Sequence, residues 1–368
     1  MEEVLHYNPP EDIKNVYWNL QIDNRLTWFQ GGRVINAEIN AYNKLVELNT
    51  FDTGSQYISS GCLFYDGTTI ATYGYKDTPI EKYGHIRNIK EWDDNIKIWT
   101  FDSLNNVYMP VATIATGGGA IISKCAVSYD NKILVYTADS VLYGISTDDF
   151  QTRLFEKKIL YGAFAFSPTQ PMVCFVVEKD ESKYFTVYNY LTGTDVFEKK
   201  MPPLGFIESL AFSQDGRQVV CSMPEQDDEF LADHSVCVID LNKDAGKFYE
   251  TYMAGFNNIS FDEKGDHIMG EDGWNGGIYF ALVDQGVGRN HVFKNSSNDT
   301  LLLQPPQGHI GRASYSKQCT FISSLGSLGL FIWKKTRKQR FDDDDDDWQS
   351  NKSFRARGHI ANYFALKN

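Results

Sequence analysis

The histidines are the first residues to consider for chemistry, because imidazole can bind a metal or act as a general base. They stand at positions His6, His85, His234, His267, His291, His309 and His359. No two of them have the His-x-x-x-His spacing that places two zinc ligands on one helical face. The chain also lacks the Gly-x-Ser-x-Gly sequence of a nucleophile elbow. The pattern predicts neither a zinc site nor a nucleophile–base pair.

Carboxylates and glycines offer two further possibilities. The stretch Asp262–Asp266 lacks the alternating ligands and closing Glu of a calcium loop. Residues 117–119 are three consecutive glycines, but a phosphate loop needs a following helix with Lys and Ser or Thr at fixed spacing. The residues after Gly119 have strand composition instead. We therefore predict no catalytic residue, no metal site and no cofactor.

Composition and charge narrow the class of protein. The 42% hydrophobic and 14% aromatic content of this 368-residue chain is typical of a folded protein. A net charge of −13 disfavours direct binding of nucleic acid and favours a partner with a basic segment. No apolar run is long enough for a membrane span, and the acidic start lacks a signal-peptide core. We expect a cytoplasmic or nuclear protein that is not secreted and not inserted in a membrane.

The six cysteines fit the same expectation. None forms a Cys-x-x-Cys pair, and each falls in or beside a predicted strand. They are Cys62, Cys125, Cys174, Cys221, Cys237 and Cys319. We predict reduced core residues, as in proteins of reducing compartments.

The sequence predicts β-strands along the chain, and residues 209–240 show most clearly how the strands follow one another. Residues 209–221 form a strand, a turn and a second strand, with Leu210 and Phe212 alternating with smaller residues. Asp215-Gly216 supplies the turn, since glycine takes positive φ without strain. Another strand follows between Asp233 and Asp240.

This unit recurs along the chain. Six strand openings are centred on an aromatic residue, namely Phe64, Tyr129, Phe166, Phe212, Phe261 and Tyr315. They are 37 to 65 residues apart, and the longest gap contains an insertion. A period of about 40–45 residues with four strands per repeat is typical of a propeller blade.

Several motifs resemble those of WD-repeat β-propellers. Asp93–Trp99 and Asp233–Asp240 are similar to the family's turn Asp and following strand, and Gly308-His309 and Gly358-His359 resemble the pair that opens a repeat. Residues 330–333 keep the Trp without the turn Asp, and residues 184–188 have neither. The resemblance implies that His309, Asp93 and Asp233 brace blades through hydrogen bonds. It also implies that Trp99 and Trp333 pack within blades.

The predicted fold is all-β: one seven-bladed β-propeller of four-stranded antiparallel blades. The expected closure pairs residues 359–366 with a segment of residues 15–48, so that the N- and C-terminal strands share a blade. Residues 1–14 are expected to be an extended lead-in, and residues 15–368 a single domain. That domain has an insertion at 76–91, an acidic loop at 224–233 and a charged loop at 334–348 that includes the run Asp342–Asp347.

Two functions from different classes remain open. The first is a non-catalytic scaffold in a larger multiprotein assembly, and the second is a propeller hydrolase or lactonase-like enzyme with its site in the central channel. For the scaffold, the insertion and the acidic loop are each expected to precede an outermost strand. They would then project from one face, three blades apart. The expected partner-binding residues on that face are Tyr75, Tyr83, Phe230 and Leu231. The insertion could equally be a mobile loop.

Overall fold

Strands account for all the regular secondary structure of the described residues. The computed structural model of the chain describes residues 2–7, 13–82, 85–116, 120–201, 207, 209–224, 234–243, 245–251, 256–262, 265, 267–272, 278–282, 301–303, 310–316, 318, 320–326 and 329–334.

The first four sheets follow one another in the chain, after an initial strand, β1 (Glu2–Tyr7), that belongs elsewhere. Sheet 1 contains β2 (Ile13–Trp18), β3 (Arg25–Gln30), β4 (Arg33–Ile39) and β5 (Leu45–Asp52). Sheet 2 contains β6 (Tyr57–Leu63), β7 (Thr69–Lys82), β8 (His85–Trp92), β9 (Asn95–Asp102) and β10 (Val107–Ala115). Sheet 3 contains β11 (Ile122–Val127), β12 (Ile133–Ala138), β13 (Val141–Ser146) and β14 (Arg153–Lys158). Sheet 4 contains β15 (Phe164–Phe166), β16 (Met172–Lys179), β17 (Ser182–Asn189) and β18 (Thr194–Lys200).

Three more sheets complete the described strands. Sheet 5 contains β19 (Ser209–Phe212), β20 (Gln218–Pro224), β21 (His234–Asp240) and β22 (Ala245–Thr251). Sheet 6 contains β23 (Phe256–Phe261), β24 (His267–Asp272), β25 (Ile278–Leu282) and β26 (Leu301–Leu303). Sheet 7 contains β27 (Ile310–Tyr315), β28 (Phe321–Gly326) and β29 (Gly329–Lys334), with β1 on its outer edge. All the strand pairings are antiparallel, and all join strands adjacent in the sequence except those of β7 with β9 and of β1 with β29.

The N-terminal strand differs from the expectation for residues 1–14. It is not only a lead-in, because β1 pairs with β29 from Glu2 opposite Lys334 to Tyr7 opposite Leu330. The pairing covers an edge of β29 that would otherwise leave its backbone groups unpaired. Sheet 1 already draws four strands from residues 13–52. Residues 359–366, the expected partner of that region, lie outside the described residues.

The sheets contact one another through their first strands. Contacts run from β2 to β6, β11, β15, β19, β23 and β27 in turn, and β2 also contacts β27 and β28 of sheet 7. Trp18 at the end of β2 donates its indole N–H to the carbonyl of Ser314 at 3.1 Å and stacks on Phe321. On the other side, the Tyr17 hydroxyl donates to the carbonyl of Gly61 in sheet 2 at 2.5 Å. This arrangement of sheets is that of a β-propeller.

The turn after each first strand shows the true register of the repeat. In most sheets a backbone N–H just past the first strand donates to a carbonyl five residues on, at Phe64, Ser128, Ser167, Ser213 and Ser316. The residues before these donors are Leu63, Val127, Phe166, Phe212 and Tyr315. The aromatic anchors Phe64 and Tyr129 are therefore one and two residues out of register. Trp18 is the matching residue of sheet 1, since Asn19 closes the next turn onto Arg25.

The core lies between neighbouring sheets and contains the five described cysteines. All five are free thiols with buried side chains. Burial raises the pKa of the Cys174 thiol above its usual range, and the neighbouring Cys125 thiol together with burial does the same for Cys62. These thiols are therefore held protonated and unreactive at neutral pH.

Candidate protein-docking surface

The predicted insertion at residues 76–91 is a β-hairpin that continues sheet 2 outward. β7 runs on past its pairing with β9 and pairs with β8 from Tyr75 opposite Trp92 to Lys82 opposite His85. At about 3.4 Å per residue, this ribbon extends roughly 24 Å. The equivalent connection in sheets 3 and 4 is a two-residue turn, at Asp139-Ser140 and Asp180-Glu181. Sheet 2 is therefore unlike these neighbours at the strand end that we call the hairpin face.

Four aromatic side chains meet where the hairpin leaves the sheet. We call Tyr57, Tyr73, Tyr75 and Trp92 the aromatic cluster. The Tyr75 ring lies 5.3 Å from Tyr57 and 5.0 Å from Trp92, and Trp92 stacks on Tyr73 at 5.9 Å. Tyr73 is fully buried, whereas the other three rings are half-buried. The cluster thus joins the core of sheet 2 to its surface.

An ammonium group covers the outer part of this cluster. The Lys90 Nζ lies 4.6 Å from the centroid of Tyr75 and 5.8 Å from that of Trp92. Lys90 is exposed and stands opposite Asp77 in the hairpin register. Both distances fall within the range in which an aromatic face attracts a cation.

Carboxylates surround the inner part of the same cluster. Burial first, and then the negative charges of Asp93, Asp94 and Asp139, raise the pKa of Tyr73 to about 12. The Tyr73 hydroxyl donates to the carbonyl of Ala120 at 2.5 Å, which fixes the ring against the segment that enters sheet 3. The hairpin face therefore combines aromatic rings with a negative electrostatic field.

A polar network holds the base of the hairpin. Asp93 accepts a hydrogen bond from the Ser55 hydroxyl at 2.6 Å and forms an ion pair with Lys97 at 3.2 Å. Lys97 also donates to Ser55 and to the carbonyl of Thr53, at 3.0 and 3.1 Å. The Gln56 side chain accepts the backbone N–H of Asp77 at 2.8 Å. The segment before β6 is thus tied to both ends of the hairpin.

Asp93 and Trp99 both form hydrogen bonds that link separate segments of sheet 2 and its surroundings. The Trp99 indole donates to the Thr72 hydroxyl at 2.9 Å, which links the third strand of the sheet to the second. The resemblance to WD repeats implied that Asp93 takes part in hydrogen bonds that brace its blade, without naming a partner. In sheet 2 the partner of Asp93 is Ser55, which sequence reasoning missed because the two residues are 38 positions apart.

Other predicted site residues are placed as follows. Tyr75 belongs to the aromatic cluster, and Trp333 is buried in β29 beside Phe331, at 5.9 Å between ring centroids. Tyr83, Phe230, Leu231, Asp233 and His309 lie outside the described residues, as does the Asp342–Asp347 run.

One expectation about the loops is wrong. The strands that follow the insertion and the acidic loop, β9 and β21, are third strands and not outermost ones, because β10 and β22 pair beyond them. Both connections nevertheless join a second strand to a third, β7 to β9 and β20 to β21. Strand ends alternate along an antiparallel sheet, so both connections start from the same face of the propeller.

Within the part of the chain that the structure describes, no three His, Cys, Asp or Glu side chains are grouped so that they could hold a metal ion. The described residues also contain no helix long and apolar enough to cross a membrane.

Comparisons with known proteins identify the fold. No protein-family model matches the chain, and no curated protein matches it by sequence. Among solved structures, hydrazine synthase of Kuenenia stuttgartiensis superposes with a TM-score of 0.66 at 12% identity, over 90% of this chain and 98% of that one. The β-propeller domain of Cps50 (Swd1) from Myceliophteria thermophila superposes with a TM-score of 0.61 at 10% identity, over 88% of this chain and 97% of that one.

These similarities establish that the chain is a β-propeller. At such low identities they concern the fold alone, and one fold can serve unrelated functions.

Proposed function

We propose that this chain is a non-catalytic scaffold that binds other proteins of a multisubunit assembly on its hairpin face. In this proposal the seven sheets are seven WD-repeat-like blades, and β1 on β29 closes the circle. The contacts of β2 with both β6 and β27 support this closure. The partner is a protein with a basic segment, in keeping with the net charge of −13.

The observation that carries the proposal is the hairpin itself. It projects from sheet 2, where sheets 3 and 4 need only two residues to connect the same strands. Ile89 on β8 is 42% exposed, and half-buried aromatic rings lie at the hairpin base. Exposed apolar groups within a charged surrounding are typical of a protein interface.

The test shortens the hairpin without disturbing the sheet. Replacing residues 77–90 with Asn-Gly keeps Tyr75 opposite Trp92 and supplies a tight turn. The control is Tyr42→Ala, since Tyr42 is 84% exposed in the turn at the opposite end of sheet 1. Tagged wild-type and variant proteins are purified from native cell extract, and co-purifying proteins are compared by mass spectrometry.

We expect the short-hairpin variant to lose partners that both the wild-type protein and the Tyr42→Ala variant retain. The proposal is refuted if the short-hairpin variant, with an unchanged melting temperature, retains every partner of the wild-type protein.

A further inference from the structure

The Lys90 contact with the aromatic cluster differs from those of several other cations over rings in the described part of the chain. Other cations also lie over rings, but several have an acidic partner as well: Lys157 with Asp195, Arg153 with Glu156, and Lys179 with Glu198. Within the described residues, the Lys90 ammonium has no carboxylate within ion-pair distance. The faces of Tyr75 and Trp92 are its contacts. These two rings therefore hold a cation without help from an ion pair.

The surroundings of the cluster favour a positive charge over a neutral group. Asp93 and Asp94 follow Trp92 directly, and Asp139 lies on the adjacent sheet 3. After burial, which is the largest cause, the negative charges of these three carboxylates contribute to the raised pKa of Tyr73. A cation on the exposed rings gains from both the ring quadrupole and this field.

We propose that the aromatic cluster is a binding site for a lysine or arginine side chain of a partner protein, and that Lys90 occupies it in the free protein. This inference rests on the proposed scaffold function and assigns the chemistry of its partner. Arginine fits best, because a planar guanidinium stacks on a ring and is less strongly hydrated than an ammonium.

Lys90 is suited to be displaced. An exposed cation–π contact is weak, and the long Lys90 side chain can swing away into solvent. Lys90 therefore acts as an internal competitor, and its removal should strengthen binding of an external cation. A residue needed only for the fold of the hairpin would not have this effect.

The experiment uses the full chain and synthetic peptides. The probe is a fluorescein-labelled 12-residue Gly/Ser peptide with arginine at every third position. Lysine and glutamate versions of the peptide serve as comparisons. Binding is measured by fluorescence anisotropy at low salt for the wild-type protein and for Lys90→Ala, Tyr75→Ala, Tyr75→Phe and Tyr42→Ala.

We expect the arginine peptide to bind more tightly than the lysine peptide, and the glutamate peptide not to bind. Lys90→Ala should tighten arginine-peptide binding about two- to fivefold, the affinity equivalent of an exposed cation–π contact. Tyr75→Ala should weaken binding at least about fivefold. Tyr42→Ala should bind like the wild-type protein. Tyr75→Phe, which keeps the ring face, should bind more tightly than Tyr75→Ala.

Two results would overturn the inference. One is equal binding by the wild-type protein and a folded Tyr75→Ala variant, since attraction by surface carboxylates alone predicts that outcome. The other is weaker binding after Lys90→Ala. Either result leaves the scaffold proposal standing if the short-hairpin variant still loses its partners. Failure of the scaffold proposal would instead appear as unchanged partners in that variant.

Discussion

The two ends of the strands are built in different ways. At one end, the turns between the first and second strands of sheets 3, 5 and 7 share a design in which a serine hydroxyl accepts the N–H five residues later: Ser128 from Ile133, Ser213 from Gln218 and Ser316 from Phe321. At the hairpin face, the connections range from two residues to the long hairpin of sheet 2. One end thus shares a turn among several sheets, whereas the connections at the other end differ in length, which is the difference on which the proposed docking surface depends.

The largest expected effect concerns neither end but β1, the strand that covers the edge of β29. Deleting residues 1–7 removes β1, and with it the stacking of His6 on Phe331 at 4.3 Å and the packing of Leu5 and Tyr7 on the core. We expect a loss of about 3–5 kcal/mol from the burial and hydrogen bonds removed, together with aggregation through the open edge of β29. Urea unfolding and light scattering measure both. A monomeric variant of unchanged stability would show that β1 is dispensable.

Substituting the serine of the shared turn should reduce the stability of the protein, although the turn lies at the end of its sheet. Ser213 is buried, and its hydroxyl donates to Asp215 at 2.7 Å while accepting from the N–H of Gln218. Ser213→Ala leaves that N–H without its side-chain acceptor, and we expect a loss of about 1–3 kcal/mol by urea unfolding. Ser140→Ala, in an exposed turn of the hairpin face, is the matched control and should change stability by less than about 0.5 kcal/mol. Equal losses of stability in Ser213→Ala and Ser140→Ala would show that the turns at the two ends of the strands do not differ in their contribution to the fold.

Tyr73 of the aromatic cluster should make the stability of the protein depend on pH in the alkaline range. Because the pKa of Tyr73 is raised to about 12, its neutral form is favoured in the folded state. An unfolded tyrosine ionises near pH 10, so the stabilising contribution is complete below that pH and is lost as the pH rises towards 12. Tyr73→Phe should therefore lose stability less steeply than the wild-type protein between pH 10 and 12. Parallel stability curves in that window would contradict this expectation.

Shortening the hairpin should change the stability of the protein only a little. Replacing residues 77–90 with Asn-Gly retains the Asp93–Ser55 hydrogen bond and the pairing of β7 with β9. We expect a change within about 0.5–1 kcal/mol by thermal unfolding. A much larger loss would mean that the hairpin supports the sheet, and that the hairpin face is not independent of the fold.

Local sequence patterns predicted much of the fold. Alternating apolar residues and Asp-Gly turns located the strands around Phe212, and the longest spacing between aromatic anchors revealed an insertion in sheet 2. The strand form of that insertion was missed, because its charged and β-branched residues do not alternate in a simple way. The role of β1 was missed too, since its partner β29 lies at the other end of the described chain and Pro9-Pro10 suggested an extended segment.

The candidate site was less predictable for the same physical reason. Tyr75 and Asp93 could be identified from the sequence, but their significance depends on contacts that no short motif records. Ser55 reaches Asp93 from the preceding inter-sheet segment, and Lys90 reaches Tyr75 across the hairpin. The spacing of these residues in the sequence does not reveal a cation–ring contact, because an exposed hairpin without a binding site could have the same residues at the same positions.

The pairing of β1 with β29 also affects how the chain folds while it is being synthesised. During synthesis β1 emerges before the other described strands, yet the strand it pairs with is completed only after residue 334. At about 5–20 residues per second, β1 waits roughly 15 to 65 seconds for its partner. Throughout that time sheets 1 to 6 can form, while β1 remains an unpaired strand able to join the wrong edge. We therefore expect β1 to be the described strand most in need of protection from wrong pairing during synthesis, because its partner β29 is made last.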